Sequence, residues 1–191
     1  MSVAEKTAYE IRWHGRGGQG AVTSAKILAE AAFCGGWTGV TSQPTFGAER
    51  RGAPITASTR LAHEPIRMLS QVTKPDIVIV LDDSLLSVAD ATAGLATDGT
   101  VIVNTTRPAE DLGFTEAAHV VTSDVTGAAE AADLIVAGQP MVSTAILGAV
   151  AAATGLVTME CVETAIRHAF SGRAADKNVE AARIAFECTK G

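Results

Sequence analysis

The sequence predicts a single α/β domain, a three-layer, Rossmann-like arrangement with a mostly parallel central sheet and a helical C-terminal part. Strand-like and helix-like segments alternate along most of the 191 residues, which is typical of parallel strands joined by helical crossovers. The continuous β-branched run Asp76–Leu81 suits a parallel strand that is covered on both faces. No repeat, low-complexity tract or linker divides the sequence, so residues 1–191 are predicted to form one domain.

Local patterns place the elements in order. Alternating apolar and polar residues predict a first strand over Ala8–His14 and another, in a less buried position, over Pro54–Leu61. Helical spacing predicts a helix over Gln19–Phe33 that the pair Gly35-Gly36 ends. The other predicted elements are strands at Asp76–Leu81, Thr100–Asn104 and His119–Thr122, and helices at Ser143–Thr154, Met159–Phe170 and Lys177–Cys188, with Thr158 and Asp176 as caps of the last two helices.

Composition disfavours two classes of partner. A net charge of −6 and an aromatic content of 4% argue against nucleic-acid binding, which needs a basic face and stacking platforms. The longest apolar stretch, Met141–Val157, is interrupted by polar residues and is shorter than the roughly 20 residues of a membrane span. The N-terminal residues contain acids and do not resemble a signal peptide. We therefore expect neither nucleic acid nor a membrane among the partners.

The three cysteines predict a reduced, metal-free chain. Cys34, Cys161 and Cys188 are far apart in sequence and form no C-x-x-C pair. Iron–sulfur clusters need several closely placed thiolates, and zinc needs three or four ligands. An odd cysteine count without a signal peptide favours the cytoplasm. We predict that each cysteine is a small buried hydrophobic residue.

A glycine-rich turn separates the first strand from the first helix. Gly15, Gly17 and Gly20 satisfy G-x-G-x-x-G in the strand–turn–helix context that binds phosphates at a helix N-terminus, and Arg16 can add a charge-assisted bond. A ribose-binding acid is absent from the sequence Gly35–Ser42, which disfavours NAD and FAD. The turn is either an anion site or a close packing contact, and the spacing alone leaves both open.

A charged loop follows at Phe46–Pro54. It contains Glu49, Arg50 and Arg51 between two glycines, with a proline on either side. Glycines and prolines enforce an irregular path. By composition alone, a solvated loop with local charge pairs is favoured over a docking element for a partner protein.

The remaining polar candidates have structural interpretations. His14 at the end of the first strand is expected to pack against its neighbours rather than act as an acid or base. Asp83 or Ser84 is expected to cap the helix after the pair Asp82-Asp83, in preference to a metal or ribose site. Ser143 lacks the G-x-S-x-G context of a nucleophile. We predict no catalytic and no metal-binding residue in this chain.

Taken together, the motifs resemble those of the gamma subunit of 2-oxoacid:ferredoxin oxidoreductases, the pyruvate:ferredoxin oxidoreductase family. Gly15–Ala25 matches its G-x-G-G-Q-G-x-x-x-A turn, and Phe46–Pro54 matches its F-G-x-E-x-R-G-x-P loop. The strand and aspartate at Ile77–Asp82, the helix region Gly138–Gly148 and the K-N-x-x-A segment Lys177–Ala181 are also similar. The resemblance covers essentially the whole chain, which implies one gamma-type domain over residues 1–191.

The resemblance implies a reaction shared among subunits. A 2-oxoacid is oxidatively decarboxylated, coenzyme A takes the acyl group, and electrons pass to ferredoxin or another acceptor. It implies thiamine diphosphate, Mg and [4Fe-4S] clusters on partner subunits: thiamine-binding alpha and beta subunits and a ferredoxin-like iron–sulfur subunit. It places the coenzyme A pyrophosphate near the glycine turn, and the candidate residues are Gly15, Arg16, Gly17, Gly18, Gln19 and Gly20. The chain is expected to be inactive alone, because no nucleophile, metal site or electron carrier is legible in it. Within a complex, the charged loop is the predicted docking element, because its glycines and prolines hold one irregular shape and its arginines can pair with carboxylates of a partner. The candidate interface residues are Phe46, Glu49, Arg50 and Arg51.

Several alternatives stay open at this point. The chain could be a beta subunit of an indolepyruvate-type enzyme, or a purely structural subunit with an empty glycine turn. An independent dehydrogenase would need the missing acid and a catalytic pair. Family members often carry Asn near the position of Ser143, so a polar role there is in doubt. The substrate is equally open among pyruvate, 2-oxoglutarate, branched-chain 2-oxoacids, indolepyruvate and phenylglyoxylate.

Overall fold

A six-stranded mixed sheet forms the centre of the protein. The structure is a computed structural model that describes residues 6–44, 52–67, 70–88, 90–114 and 118–189. The strand order is β2-β3-β1-β4-β5-β6, in which β1, β4, β5 and β6 are parallel and β3 runs antiparallel to both of its neighbours. The predicted mostly parallel sheet is confirmed. Its strands are β1 Ala8–Arg16, β2 Gly39–Pro44, β3 Pro54–Ala62, β4 Ile77–Val80, β5 Thr100–Asn104 and β6 His119–Ser123.

The described α-helices share one face of this sheet. One apolar core joins alternate strand residues such as Ile11, Trp13 and Ile79 to buried residues of all these helices. The intervening residues Val78 and Val103 face a second, smaller core under loops and two short 3-10 helices. The third layer of the fold is therefore irregular rather than α-helical. The α-helices are α1 Ala21–Cys34, α2 Val125–Ala131, α3 Val142–Thr154, α4 Met159–Ala169 and α5 Gly172–Thr189, and the 3-10 helices are Asp83–Ser87 and Ala109–Leu112.

Several short elements were not predicted, and the expectations for β3 and for the cap of α5 were wrong. The strand β2, the helix α2 and a small hairpin of β7 Ile135–Val136 and β8 Gln139–Pro140 are too short to give a clear periodic pattern. The strand β3 was expected in a less buried position, but it lies inside the sheet with five consecutive buried residues. Asp176 does not cap α5, because this helix begins at Gly172 and Asp176 pairs with Arg167 of α4 at 2.8 Å. Thr158 does cap α4 through the Cys161 amide.

The helices α3 and α5 make an unusually close contact. A Cβ placed on Gly148 would lie 1.8 Å from the carbonyl oxygen of Ala182, so only glycine fits between the two backbones. One turn away along α3, the buried Thr144 hydroxyl donates to Asn178 Oδ1 at 2.6 Å, and Asn178 Nδ2 donates to the Ala174 carbonyl at 2.8 Å. The Asn of the K-N-x-x-A segment is thus a structural bridge between two helices. None of the helices in the described part of the chain is long and apolar enough to cross a bilayer.

One of the three cysteines is buried, as predicted. Cys161 is buried, whereas Cys34 and Cys188 are exposed, so the prediction that each is buried is wrong. Cys34 ends α1 and Cys161 lies in the first turn of α4, and a hydrogen bond to the Cys161 thiol raises the pKa of Cys34. Helix periodicity cannot separate a buried cysteine from an exposed one at a helix end.

Candidate functional site: a cleft at the carboxyl edge of the sheet

A cleft of about 1170 Å³ opens at the carboxyl ends of the parallel strands. Its walls are the glycine turn after β1, the loops after β4 and β5, the start of α2 and the segment that leads into α3. In open α/β sheets this edge is the usual ligand site, because loops and helix N-termini meet there. The glycine turn therefore lies where a ligand would be expected.

The glycines of the turn have two separate functions. Gly18 (φ 99°) and Gly20 (φ 83°) adopt left-handed backbone conformations that favour glycine. A Cβ on Gly18 would meet no atom within 4 Å, whereas one on Gly20 would lie 2.6 Å from Ser143 Cβ. A Cβ on Gly15 would lie 3.1 Å from Ala21 Cβ. Gly15 and Gly20 thus serve packing, and Gly17 and Gly18 face the cleft.

The turn leaves the N-terminus of α1 open. Gly20 is the N-cap residue, and no side chain of the described residues caps this helix. The first hydrogen bond of the helix runs from the Ser24 amide to the Gly20 carbonyl at 2.8 Å, which leaves the preceding amides outside the intrahelical ladder. An uncapped helix of 14 residues presents donors and a partial positive charge. This is the local geometry that an anion requires.

Arg16 and Gln19 support the turn rather than project freely. The Arg16 guanidinium lies 3.1 Å from Asp82 Oδ2 through Nε and donates from Nη2 to Ser84 Oγ at 2.7 Å. Gln19 Oε1 accepts from the Arg16 amide at 2.7 Å, and Gln19 Nε2 donates to Asp82 Oδ2 at 2.9 Å. These bonds tie the turn to the end of β4. The phosphate contact expected of the Arg16 side chain would compete with them.

Asp82 is the centre of that network. Burial acts to raise the pKa of Asp82, but hydrogen bonds from Ser84 and Gln19 and the charge of Arg16 outweigh it, so the pKa lies below its ordinary value. Asp82 also caps the 3-10 helix Asp83–Ser87 through the Ser84 amide. A cap at this point was predicted, but from Asp83 or Ser84. Asp83 instead accepts a hydrogen bond from Thr105 Oγ1 at 2.8 Å.

A second helix N-terminus, at α3, lies beside the first. Its N-cap is Met141, and none of the described side chains caps it. Ser24 Oγ in α1 donates to the Ser143 carbonyl at 2.7 Å, and the Ser143 side chain packs against Gly20. Two uncapped helices of 14 and 13 residues therefore begin at the same end of the cleft. Sequence reasoning missed this pairing, because 119 residues separate Ser24 from Ser143.

A further wall of the cleft is the β7–β8 hairpin. Val136, Ala137 and Pro140 line the cleft, and the chain then passes directly into Met141 at the start of α3. These three side chains are apolar, although Gln139 of the same hairpin also lines the cleft. The hairpin therefore adds an aliphatic surface to a cleft that is otherwise of mixed polarity.

The other candidates lie elsewhere. His14 is buried on the second face of the sheet, where Nε2 accepts from Arg12 Nε at 3.1 Å; its predicted packing role is confirmed. Burial and the charge of Arg12 lower the pKa of His14 to about 4. The predicted interface residues Phe46, Glu49, Arg50 and Arg51 lie outside the described residues, so their role stays a prediction. Within the described ranges, no three His, Cys, Asp or Glu side chains are grouped as metal ligands, so an iron–sulfur cluster does not fit there.

Comparisons with known proteins place the chain in a family. The family model described as pyruvate ferredoxin/flavodoxin oxidoreductase matches residues 10–188. The "pyruvate/ketoisovalerate oxidoreductases common subunit gamma" of Pyrococcus abyssi is 54% identical, with 95% of this chain and 97% of that protein covered. The "pyruvate synthase subunit PorC" of Methanothermobacter marburgensis is 50% identical over the same shares of the two chains.

A solved structure agrees with these relatives. The pyruvate oxidoreductase subunit PORC from Thermotoga maritima is 36% identical and superposes with a TM-score of 0.81, with 95% of this chain and 97% of that chain covered. Both the sequence and the complete fold are therefore shared with that subunit. The chain belongs to the pyruvate ferredoxin/flavodoxin oxidoreductase family as a gamma-type subunit, which confirms the resemblance seen in its motifs.

Proposed function

We propose that this chain works within a complex that converts a 2-oxoacid and coenzyme A to an acyl-CoA and CO₂. The reaction releases two electrons and one proton, and the electrons pass to ferredoxin or another acceptor. The names of its relatives, which include pyruvate, ketoisovalerate and pyruvate synthase subunits, favour pyruvate or a branched-chain 2-oxoacid as the substrate. The same names disfavour the alternative of an indolepyruvate-type beta subunit.

The redox chemistry belongs to partner subunits in this proposal. Thiamine diphosphate with Mg supplies the decarboxylation chemistry when bound to the alpha and beta subunits, and [4Fe-4S] clusters are carried by a ferredoxin-like subunit. The described residues of this chain offer no group of three or more metal-ligating side chains for a cluster; of its thiols, those of Cys34 and Cys161 lie together. The complex is proposed to be cytoplasmic, where such thiols stay reduced. Alone, the gamma subunit would be inactive.

The contribution proposed for this chain is the binding of coenzyme A in the cleft. The single observation that carries this proposal is the meeting of two uncapped helix N-termini, those of α1 and α3, beside the open position of Gly18. Backbone amides at such a point favour a pyrophosphate. Four acidic residues among those described line the cleft: Asp82, Asp83, Asp124 and Glu130. The carboxylates of the three aspartates accept hydrogen bonds from other protein donors, so they do not occupy the same amides.

A dinucleotide-dependent dehydrogenase is disfavoured by topology as well as by sequence. In that class an acid at the end of the strand next to β1 binds the ribose. Here the strand after α1 is β2, and β3 lies between it and β1. An acid at the end of β2 would therefore be displaced by one strand from the glycine turn. The remaining alternative is a structural subunit whose cleft binds nothing.

Two glycines offer a matched test of these alternatives. Gly18 and Gly36 both have φ 99°, and a Cβ on either meets no atom within 4 Å. Gly18 lines the cleft, whereas Gly36 follows the far end of α1. Alanine at either position imposes the same backbone strain, on the order of 1 kcal/mol, but only Gly18→Ala adds a methyl group where the pyrophosphate is proposed to bind.

The measurement is the KM for coenzyme A in the assembled complex. We expect Gly18→Ala to raise it by about ten-fold, equivalent to about 1.4 kcal/mol, and Gly36→Ala to leave it at the wild-type value. Equal KM values for wild type and Gly18→Ala, in a complex of normal composition, would favour the structural alternative.

A further inference from the structure

The β7–β8 hairpin, taken as residues 133–140, exposes apolar side chains beside the cleft. Ile135 is 42% exposed and Val136 is 56% exposed. Successive residues of a strand point to opposite sides, and only Val136 of the two lines the cleft. Val136 thus presents an aliphatic surface to whatever occupies the cleft, and its neighbour presents one to the outside.

The hairpin also holds an unfavourable backbone. Asp133 (φ 51°) and Ala137 (φ 50°) are the two non-glycine residues with positive φ in the described ranges. Such conformations persist where surrounding contacts enforce them, and they concentrate at ligand-binding sites. Both of these residues belong to one element, and that element is a wall of the cleft.

Lys177 in α5 supplies the enforcing contact. Its Nζ donates to the Asp133 carbonyl at 2.7 Å and pairs with the Asp133 carboxylate. Both acceptors belong to the residue in the left-handed conformation. The base of the hairpin is completed by backbone bonds from the Leu134 amide to the Ala129 carbonyl at 2.9 Å and from the Met141 amide to the Leu134 carbonyl at 3.0 Å. The Lys of the K-N-x-x-A segment therefore anchors the hairpin.

We propose that this hairpin binds the pantetheine arm of coenzyme A through Val136 and Ala137, and that Lys177 is a positioning residue for it; this rests on the proposed coenzyme A site. The arm is a flexible chain of methylene, dimethyl and amide groups, which suits an aliphatic wall. Adenine favours an aromatic face, and no aromatic residue is among the described residues that line the cleft. Because the hairpin leads directly into α3, a ligand with its pyrophosphate at the two helix N-termini passes the hairpin next.

The contact is tested with two neighbouring variants in the assembled complex, Val136→Ser and the matched control Ile135→Ser. Two constants are measured: the KM for coenzyme A, and the inhibition constant of 3′-phospho-ADP, which is coenzyme A without the pantetheine arm. We expect Val136→Ser to raise the KM roughly three- to ten-fold and to leave the inhibition constant unchanged. Ile135→Ser should change neither.

Each other outcome is decisive. Equal KM values in the two serine variants would overturn the contact, and a parallel rise of the inhibition constant in Val136→Ser would assign the hairpin to the adenylate instead. If 3′-phospho-ADP fails to compete with coenzyme A and Gly18→Ala has a wild-type KM, the proposed coenzyme A site itself is wrong. If only the hairpin contact is wrong, 3′-phospho-ADP still competes and Gly18→Ala still has a raised KM.

The positioning role of Lys177 has its own control on the same helix. Arg183 pairs with Glu163 of α4 at 2.6 Å rather than with a residue of the hairpin. We expect Lys177→Met to raise the KM for coenzyme A several-fold, Lys177→Arg to restore it, and Arg183→Met to leave it unchanged. A KM in Lys177→Met no higher than in Arg183→Met, or no rescue by arginine, would refute the role.

Discussion

Replacing Gly148 with alanine tests the packing of α3 against α5. Helix propensity alone predicts that alanine stabilises this helical position by about 1 kcal/mol. The structure predicts instead that alanine at this position destabilises the protein. The new Cβ would lie 1.8 Å from the Ala182 carbonyl oxygen, and real Cβ contacts are not shorter than 3.0 Å, so the gap must grow by 3.0 − 1.8 = 1.2 Å. The obstructing atom is backbone of the facing helix, so the two helices must separate.

A separation of this size weakens every contact between the helices. A gap of 0.5–1 Å removes roughly a quarter to a half of the dispersion energy of each atom pair, and overpacked cores typically lose about 1–3 kcal/mol. Because α3 is buried almost throughout, the loss should be at or above the top of that range. After the gain in propensity is subtracted, we expect the free energy of unfolding to fall by about 2 kcal/mol or more.

The assay is thermal unfolding of the purified subunit followed by far-UV circular dichroism. For a chain of this size a loss of about 2 kcal/mol lowers Tm by roughly 4–8 °C, and a larger loss lowers it further. Gly155→Ala, at the C-cap of the same helix with φ 64° and no atom near its Cβ, is the control. It carries only backbone strain and should lower Tm by about 2–4 °C. A Gly148→Ala protein with a Tm equal to or above wild type would refute the steric argument.

Three further predictions concern pH, assembly and cofactor content. Burial and the charge of Arg12 lower the pKa of His14 in the folded state from 6.5 to about 4. As the pH falls, His14 therefore becomes protonated in the unfolded state before it does so in the folded state. Stability should therefore fall by about 3 kcal/mol as pH drops from 6.5 to 4, with no contribution above 6.5, and His14→Gln should remove that slope in urea titrations. The double change Arg50→Ala and Arg51→Ala should loosen association with the thiamine-binding subunits, since losing one partner of a buried charged pair costs roughly 2–5 kcal/mol. Alone, the chain should be colourless and contain neither iron nor thiamine diphosphate.

These three predictions have clear contrary results. If the free energy of unfolding falls equally with pH in wild type and in His14→Gln, the assignment of this pH dependence to His14 is wrong. Co-purification of all subunits in normal ratio with normal turnover, from the double arginine variant, would exclude the loop as a docking element. Arg167→Ala, at an exposed ion pair with Asp176, is the control for general charge loss. Stoichiometric iron and sulfide in the isolated subunit would contradict the placement of clusters on partners.

Patterns within a few residues predicted most of the secondary structure. The β-branched run before Asp82 is a buried parallel strand, and Thr158 is a helix cap, because both depend on neighbouring residues alone. Because these predictions depend on neighbouring residues alone, they were wrong where burial or helix length depends on distant parts of the chain. A segment of alternating apolar and polar residues such as Pro54–Leu61 gives no sign that it will be an interior strand, since its burial depends on the strands on either side. Lys177–Cys188 was predicted too short because α5 extends back to Gly172.

Local patterns were enough to establish the α/β class, the glycine turn between β1 and α1, and the motifs that carry the family resemblance. What the turn faces depends instead on how distant segments pack together. This packing brought the start of α3 against Gly20, engaged Arg16 with Asp82, and placed Lys177 beneath a hairpin that no pattern had indicated. Turn and helix signals arise from backbone sterics and hydrogen bonds over a few residues. A cleft arises from side-chain packing between segments such as Ser24 and Ser143, whose contact depends on how the whole core closes.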